Sequence, residues 1–394
     1  MKETRKKITG YLPSLDGLRA LAILSVIAFH DQVRELGPVS DYWVHRFGYL
    51  GVDLFFAISG VLICSRLLEE ERSTGSISLR GFYLRRFFRI FPAAWLFLAS
   101  YLILSLCNQL PRDFGGILTA FLMVRNFWVA IAGDIPRTWY TIHFWSLSVE
   151  EHFYLILPAL LVFTRKRRVR ILGVLSFLAM TWIMVVEHYP ALQAPNFQLR
   201  TDIRIDALLI PAMFATLLAE PRIRAKAVQW LRPWVVCLGF VVFSILITNS
   251  SSRFVAGTFI FVIAIGFPLF TISTMLHPGS VSCRILELPV LRFIGRISFS
   301  LYLWQQLFFP DQHTPASWPL STLQIFPFNY FAAFACSIAS YYFVERPLIR
   351  VGHRLAHPTT PGHADLDESK ATQPANVHNP NEAETATESS QVGS

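Results

Sequence analysis

Charged and imidazole side chains stand at regular spacing inside apolar stretches of this chain, where they are costly and are functional suspects by default. Arg19 and His30 lie eleven residues apart. On a helix that is 20° past three full turns and a rise of about 16 Å, so both project from one face, one near each end of a span. A guanidinium at one end can meet an anion, and an imidazole, with an ordinary pKa of about 6.5, can take a proton at the other. Such a pair could hold the two ends of one extended ligand; the plain alternative is a snorkelling arginine and a solvated histidine at a helix end. The next apolar stretch opens Gly51-Val52-Asp53 and closes Ser59-Gly60. Running the other way, it is expected to put Asp53 at the depth of His30, where a carboxylate could fix the imidazole tautomer. Asp53 could equally be an acid favoured by the dipole at a helix N-terminus. Gly51 and Gly60 would let helices approach closely.

Two further strings carry charge. In Arg85-Arg86-Phe87-Phe88-Arg89, Arg86 and Arg89 share a helical face at i, i+3, suited to phosphates, or to anionic lipid headgroups. The string Trp145-Ser146-Leu147-Ser148-Val149-Glu150-Glu151-His152-Phe153-Tyr154 places two carboxylates and an imidazole in an otherwise apolar stretch. They cannot all face lipid, so at least one faces protein interior or a water-filled cavity. Catalytic, substrate-holding and ion-pair roles are all open to them. Later, Ser298 to Gln305 reads as a span with a polar stripe, and Glu345-Arg346-Pro347 ends the last span.

The elements that position these residues follow from composition. The 394 residues are 53% hydrophobic, 14% aromatic and only 15% charged, against about a quarter charged in soluble domains. The expected fold is an all-α polytopic membrane protein. Stretches of roughly 20 apolar residues fall at 16–33, 48–68, 90–110, 114–133, 142–163, 170–187, 205–219, 234–249, 254–276, 290–309 and 325–345. Eleven crossings conflict with charge. The basic clusters at residues 2–7, 80–89, 165–170, 222–232 and 346–354 should share the cytoplasmic side, and alternation succeeds only if 114–133 does not cross. With Asp113 before it and Arg125-Asn126 at its centre, that stretch is expected to be re-entrant or interfacial. Ten transmembrane helices remain, with both termini cytoplasmic.

The net charge of +9 is uneven. From His357 onward there are six acids and one lysine, so the rest holds 34 basic against 20 acidic residues, or +14. That excess suits cytoplasmic loops, and with no basic helix interleaved with stacking aromatics outside the apolar stretches, nucleic acid is not an expected partner. Residues 1–10 read as a basic cytoplasmic N-terminus leading into a retained span, with no small-residue cleavage site. Residues 11–355 form the membrane domain. Residues 356–394, poor in large apolar side chains, are expected to be a disordered cytoplasmic tail. The five cysteines are scattered without metal-binding spacing, so neither a disulfide framework nor a metal site is expected.

Taken in order, these strings resemble the acyltransferase type 3 family, ten-span membrane acyltransferases that modify hydroxyls on glycans and some antibiotics. The resemblance covers about residues 11–355 and rests on Arg19 with His30, Gly51 to Gly60, Arg86-x-x-Arg89, Trp145-Ser-Leu-x-x-Glu150-x-x-Phe153-Tyr154, Ser298 to Leu303, and Glu345-Arg346-Pro347. Phe299 stands where members usually carry Tyr, Gln305 replaces a frequent His, and His152 takes a place more often Gln. A second imidazole at 305 is therefore absent, which shifts the catalytic expectation onto His30. The SGNH-type domain fused to some relatives is not found, so transfer is expected within the membrane body or with a separate partner.

The resemblance implies transfer of an acyl group, acetyl being the expected one, from cytoplasmic acyl-CoA to a hydroxyl of a saccharide or other polyol, possible acceptors including lipid-linked ones, at a bacterial inner membrane. No bound cofactor is expected; acyl-CoA is the donor substrate. His30 is the expected general base, with Asp53 or Glu150 orienting it. Arg19, Arg86 and Arg89 are expected to meet the CoA phosphates or a developing oxyanion, with Trp145, Tyr154 and Ser298 completing the substrate site. Direct transfer and an acyl-His30 relay remain equally open. A flippase or exporter for a lipid-linked saccharide is the competing reading, because it too would use buried charge as substrate contacts. A receptor has little use for such charge on several spans.

Overall fold

Lipid offers backbone groups no hydrogen-bond partners, so spanning segments must close their own hydrogen bonds. In the computed structural model, which describes residues 11–31, 48–132, 135–248, 253–310 and 316–356, the described residues form helices and short helical turns, with no strand among them. The expected all-α architecture is present. The basic N-terminus (1–10) and the tail from 357 lie outside the described residues, while the start of the expected tail, Ala356, ends the last helix.

The first half holds α1 (Pro13–His30), α2 (Leu50–Thr74), α3 (Leu79–Leu106), α4 (Phe114–Phe121), α5 (Arg125–Ala132), α6 (Ile135–Ile142), α7 (Phe144–Phe163) and α8 (Arg168–His188). The second half holds α9 (Thr201–Arg204), α10 (Asp206–Leu217), α11 (Pro221–Trp230), α12 (Pro233–Thr248), α13 (Arg253–Leu276), α14 (Val281–Leu286), α15 (Pro289–Arg296), α16 (Ser298–Phe308), α17 (Phe328–Ser340) and, after a π-helical turn at Tyr341–Glu345, α18 (Arg346–Ala356).

Five helical stretches among the described residues are long and apolar enough to cross a membrane: α1, α2, α3, Trp139–Phe163 and α8. The α11–α12 pair, bent by 68°, would make a sixth. By length and apolarity the described residues therefore hold five such helices, or six with the bent pair, and not the ten expected. The stretch at 205–219 is the 12-residue α10, about 18 Å long at 1.5 Å per residue. The stretch at 290–309 breaks at Ile297 into α15 and α16. There α15 crosses α1 so closely that a Cβ on Gly295 would stand 1.8 Å from the Asp16 carbonyl oxygen. Hydropathy registers apolar length and is blind to such a break.

Residues 114–133 do not form a crossing helix. α4 and α5 have eight residues each, about 12 Å, and turn at residues 122–124. Arg125 is fully buried and pairs with Asp113 at 3.0 Å. The same carboxylate accepts from the Gly116 backbone N–H at 2.7 Å and caps α4.

Packing around α2 sets the frame of the site. A Cβ on Gly51 would lie 2.4 Å from the Ala22 carbonyl oxygen of α1, and one on Gly60 would lie 2.7 Å from the Leu208 carbonyl oxygen of α10. Only glycine permits backbones this close. At its basic end α2 is tied outward through acids: Glu70 pairs with Arg85 of α3 at 3.2 Å, and Glu71 with Arg165 at 2.9 Å and with Arg168 of α8.

Candidate functional site

The face of α7 that follows from helical spacing turns Ser146, Leu147 and Glu150 into a cleft, and α2 supplies Phe56 and Ser59 opposite them. Ser59 donates to Glu150 Oε1 at 2.9 Å, which fixes the carboxylate at the wall. α3 adds Arg86 and Arg89, α1 adds Arg19, and α16 adds Ser298, Phe299 and Tyr302. Counting the solvent-open space at its mouth, the cleft spans about 720 Å3.

A second cavity, spanning about 960 Å3 with its solvent-open space, adjoins it and shares Arg19, Leu62, Arg89, Ser298 and Phe299 with the first. Its far wall carries Arg66, Arg296 and Glu345. A third, beside Arg66, Arg86 and Arg89, opens towards Arg85 and His353. The three cavities adjoin along these shared walls and make a basic region at the end carrying the arginine clusters.

The arginines along it are incompletely paired. Arg19 bonds Asp16 at 3.1 Å, and Asp16 also accepts from the Tyr11 hydroxyl at 2.6 Å. Arg86 lies over the Tyr154 ring at 3.8 Å, a cation–π contact, and its Nε is buried without a hydrogen-bond partner among the described residues. Arg89 forms no ion pair with a described residue. Guanidinium groups left this way in a cleft can receive phosphate or a developing oxyanion.

His30 stands one turn beyond the cleft, along α16. Tyr302 lines the cleft, and three residues on, Gln305 meets His30, with its Oε1 3.0 Å from Nδ1. The His30 ring also packs edge-on against Trp139 at 5.5 Å between centroids. From Ser298 to Gln305 the helix rises about 10 Å, so arginines and imidazole occupy opposite ends of one polar stripe.

Asp53 does not orient His30. Gly51 packs against Ala22, Ser25 and Val26, one to two turns below His30, so Asp53 falls deeper than its expected level. It pairs with Arg204 at a separate cavity that includes Asp206 and Glu187. Trp145 leaves the cleft as well, packing against Phe56 at 6.1 Å and under Arg204 at 5.7 Å. His152 turns away, its Nδ1 2.7 Å from the Thr201 hydroxyl. Arg19, Arg86, Arg89, Glu150 and Ser298 thus come together, Tyr154 joins them through Arg86, and His30 stands at the end.

Sequence reading missed Arg66, Arg204, His143 and Gln306. Arg66 closes a span as Cys64-Ser65-Arg66 and reads there as an interfacial charge. His143 is buried, packed edge-on against Phe97 and Tyr302, with both ring nitrogens lacking a hydrogen-bond partner among the described residues. A histidine just before an apolar run gives no hint of that burial. The described residues contain no cluster of metal-ligating side chains.

Residues 12–342 match the acyltransferase domain family. The chain belongs to that family. A Listeria monocytogenes protein named peptidoglycan O-acetyltransferase OatA is 31% identical over 324 residues, covering 77% of this chain and 50% of the relative. A Staphylococcus aureus (strain NCTC 8325) protein named O-acetyltransferase OatA is 29% identical over 314 residues, covering 75% and 50%. A further protein from S. aureus strain COL, provisionally named an O-acetyltransferase, is 32% identical over 327 residues, covering 76% and 51%. This family member spans about half the length of the curated relatives it matches. No solved structure matches it.

Proposed function

We propose that the protein is a membrane-embedded O-acyltransferase that moves an acetyl group from acyl-CoA to a hydroxyl of a glycan. The observation that carries this reading is the set of adjoining basic cavities, with Arg19, Arg86 and Arg89 at their walls and His30 one turn beyond the cleft along α16. The diphosphate and 3′-phosphate of CoA suit incompletely paired arginines, and a pantetheine arm suits the roughly 16 Å along α1 from Arg19 to His30. The relatives' printed names support an O-acetyl product, and one names peptidoglycan as acceptor.

In the proposed reaction His30 Nε2 takes the acceptor hydroxyl proton while the oxygen attacks the thioester carbonyl. The C–O bond forms, the C–S bond breaks, and the CoA thiolate leaves, taking the proton back from the imidazolium. Glu150, held by Ser59, and Ser298 sit where the donor chain would pass, while Arg19 and Arg89 stay with the phosphates at the other end of the stripe.

The proposal keeps ten crossings, with the short and broken helices of the second half counted by charge alternation. It places both termini and the donor in the cytoplasm, the acceptor at the other face, and the protein in the inner membrane. Membranes containing the protein are expected to transfer label from [acetyl-14C]acetyl-CoA to glycan, and membranes lacking it are not. Equal labelling of both, with the protein shown to be folded, would contradict the proposal.

A further inference from the structure

A base needs one defined lone pair, and a neutral imidazole has two nitrogens to choose from. At His30 the choice is made by a chain of buried amides that ends on a backbone carbonyl. Gln306 Nε2 donates to the Trp139 carbonyl oxygen at 2.9 Å. A carbonyl oxygen can only accept, so the Gln306 amide can face it only with its NH2 group. Gln306 Oε1 then points back and accepts from Gln305 Nε2 at 3.0 Å. This in turn leaves Gln305 Oε1 for His30 Nδ1, 3.0 Å away. An oxygen in that place requires Nδ1 to carry the hydrogen.

We infer that Gln305 and Gln306 are positioning residues that hold His30 as the Nδ1–H tautomer and leave Nε2 as the basic nitrogen. Both glutamine side chains are fully buried, so water does not compete for the chain, and reversing one amide would oppose like groups at two contacts. α6 is the anchor. Trp139 supplies the terminal carbonyl, its ring packs on His30, and its indole N–H bonds the Phe309 carbonyl at 3.0 Å. The arrangement also serves the protonated ring. When Nε2 takes a proton the imidazolium donates from both nitrogens, and Gln305 Oε1 still accepts from Nδ1. A carboxylate performs this duty in hydrolase triads; here a neutral amide does it, and Asp53 is engaged elsewhere.

The inference rests on the proposed role of His30, and the test separates the two. Label transfer by the full chain in membranes is measured for wild type, Gln305→Glu, Gln305→Met, Gln306→Met and His30→Ala, with kcat and KM for acetyl-CoA resolved and melting temperature followed in detergent. Methionine preserves length and volume without an acceptor. Glutamate preserves an acceptor and, when protonated, a donor to Gln306.

Gln305→Met is expected to lower kcat roughly 100-fold with KM little changed, the scale of general-base assistance. Gln305→Glu is expected to stay within about tenfold of wild type, with Gln306→Met between them. A mere packing role predicts the opposite order, because methionine fits an apolar slot and a buried acid does not; Met above Glu would overturn the inference. Imidazole 15N spectra, with the His30 signal identified by its loss in His30→Ala, give a second reading that survives a poorly folded variant. A signal at the Nδ1–H position is expected, and an Nε2–H signal would overturn the inference. Full transfer by His30→Ala would remove the base itself, a failure recognisable because it appears in that variant alone.

Discussion

Two arginine sites in the same molecule meet the apolar interior in opposite ways. Arg125, fully buried, is answered by Asp113 at 3.0 Å and by the Thr119 hydroxyl at 3.4 Å, and Asp113 is itself tied down by the Gly116 N–H and the Thr141 hydroxyl. Arg86 and Arg89 sit half-buried on cleft walls, with an aromatic face under Arg86 and the carboxylates Glu150, Glu151 and Glu345 nearby. The first site holds two short helices in a place where neither could span. The second keeps cationic valence open towards a cleft. A buried charge is therefore informative only together with its partners: closed pairs maintain shape, and open ones wait for a ligand.

The comparison can be broken first at its closed end. Asp113→Ala should leave Arg125 buried without a counterion and destabilise the protein by about 3–5 kcal/mol, read as a large fall in melting temperature in detergent. Asp113→Leu with Arg125→Met should recover most of that loss. Stability equal to wild type in the single variant would remove the distinction between the two sites.

At the open end the sign should reverse. Arg89→Met should leave the melting point unchanged or raised, while KM for acetyl-CoA rises roughly 10- to 100-fold, the value of one charge-assisted hydrogen bond. A fall in stability with an unchanged KM would make Arg89 a structural group like Arg125. The smallest effect belongs to Tyr154. Tyr154→Leu removes the ring under Arg86 and should raise the donor KM severalfold, consistent with a cation–π contact of about 0.5–2 kcal/mol. Tyr154→Phe retains the ring and should match wild type within a factor of about two. If Phe behaves like Leu, the hydroxyl rather than the ring positions Arg86.

The sequence made legible whatever depends on local spacing. Arg125-Asn126 inside an apolar stretch marked 114–133 as a segment that does not cross, and the i, i+3 spacing of Arg86 and Arg89 put both on one cleft wall. The polar stripe from Ser298 also survived, with Ser298 and Tyr302 on the cleft. What stayed hidden depends on contacts distant in the chain. Gln305 read as the loss of an imidazole, yet its amide faces His30, 275 residues away. Asp53 was misjudged in depth because Gly51 lets α2 settle against Val26, and its partner Arg204 lies 151 residues on. The break at Ile297, flanked by Arg296 and Ser298, is averaged away over a window of about 20 residues, and the ten-crossing count did not separate long helices from short ones.

The central claim is that the arginine-lined cleft delivers a thioester to His30. It is tested most directly by a single-turnover measurement with acetyl-CoA labelled in the acetyl group, on wild type and His30→Ala in membranes at matched protein levels. The account predicts that both bind the donor alike and that only wild type passes label to glycan, with the variant slower by at least about 100-fold. Equal transfer rates in the two would contradict it and turn attention to Glu150.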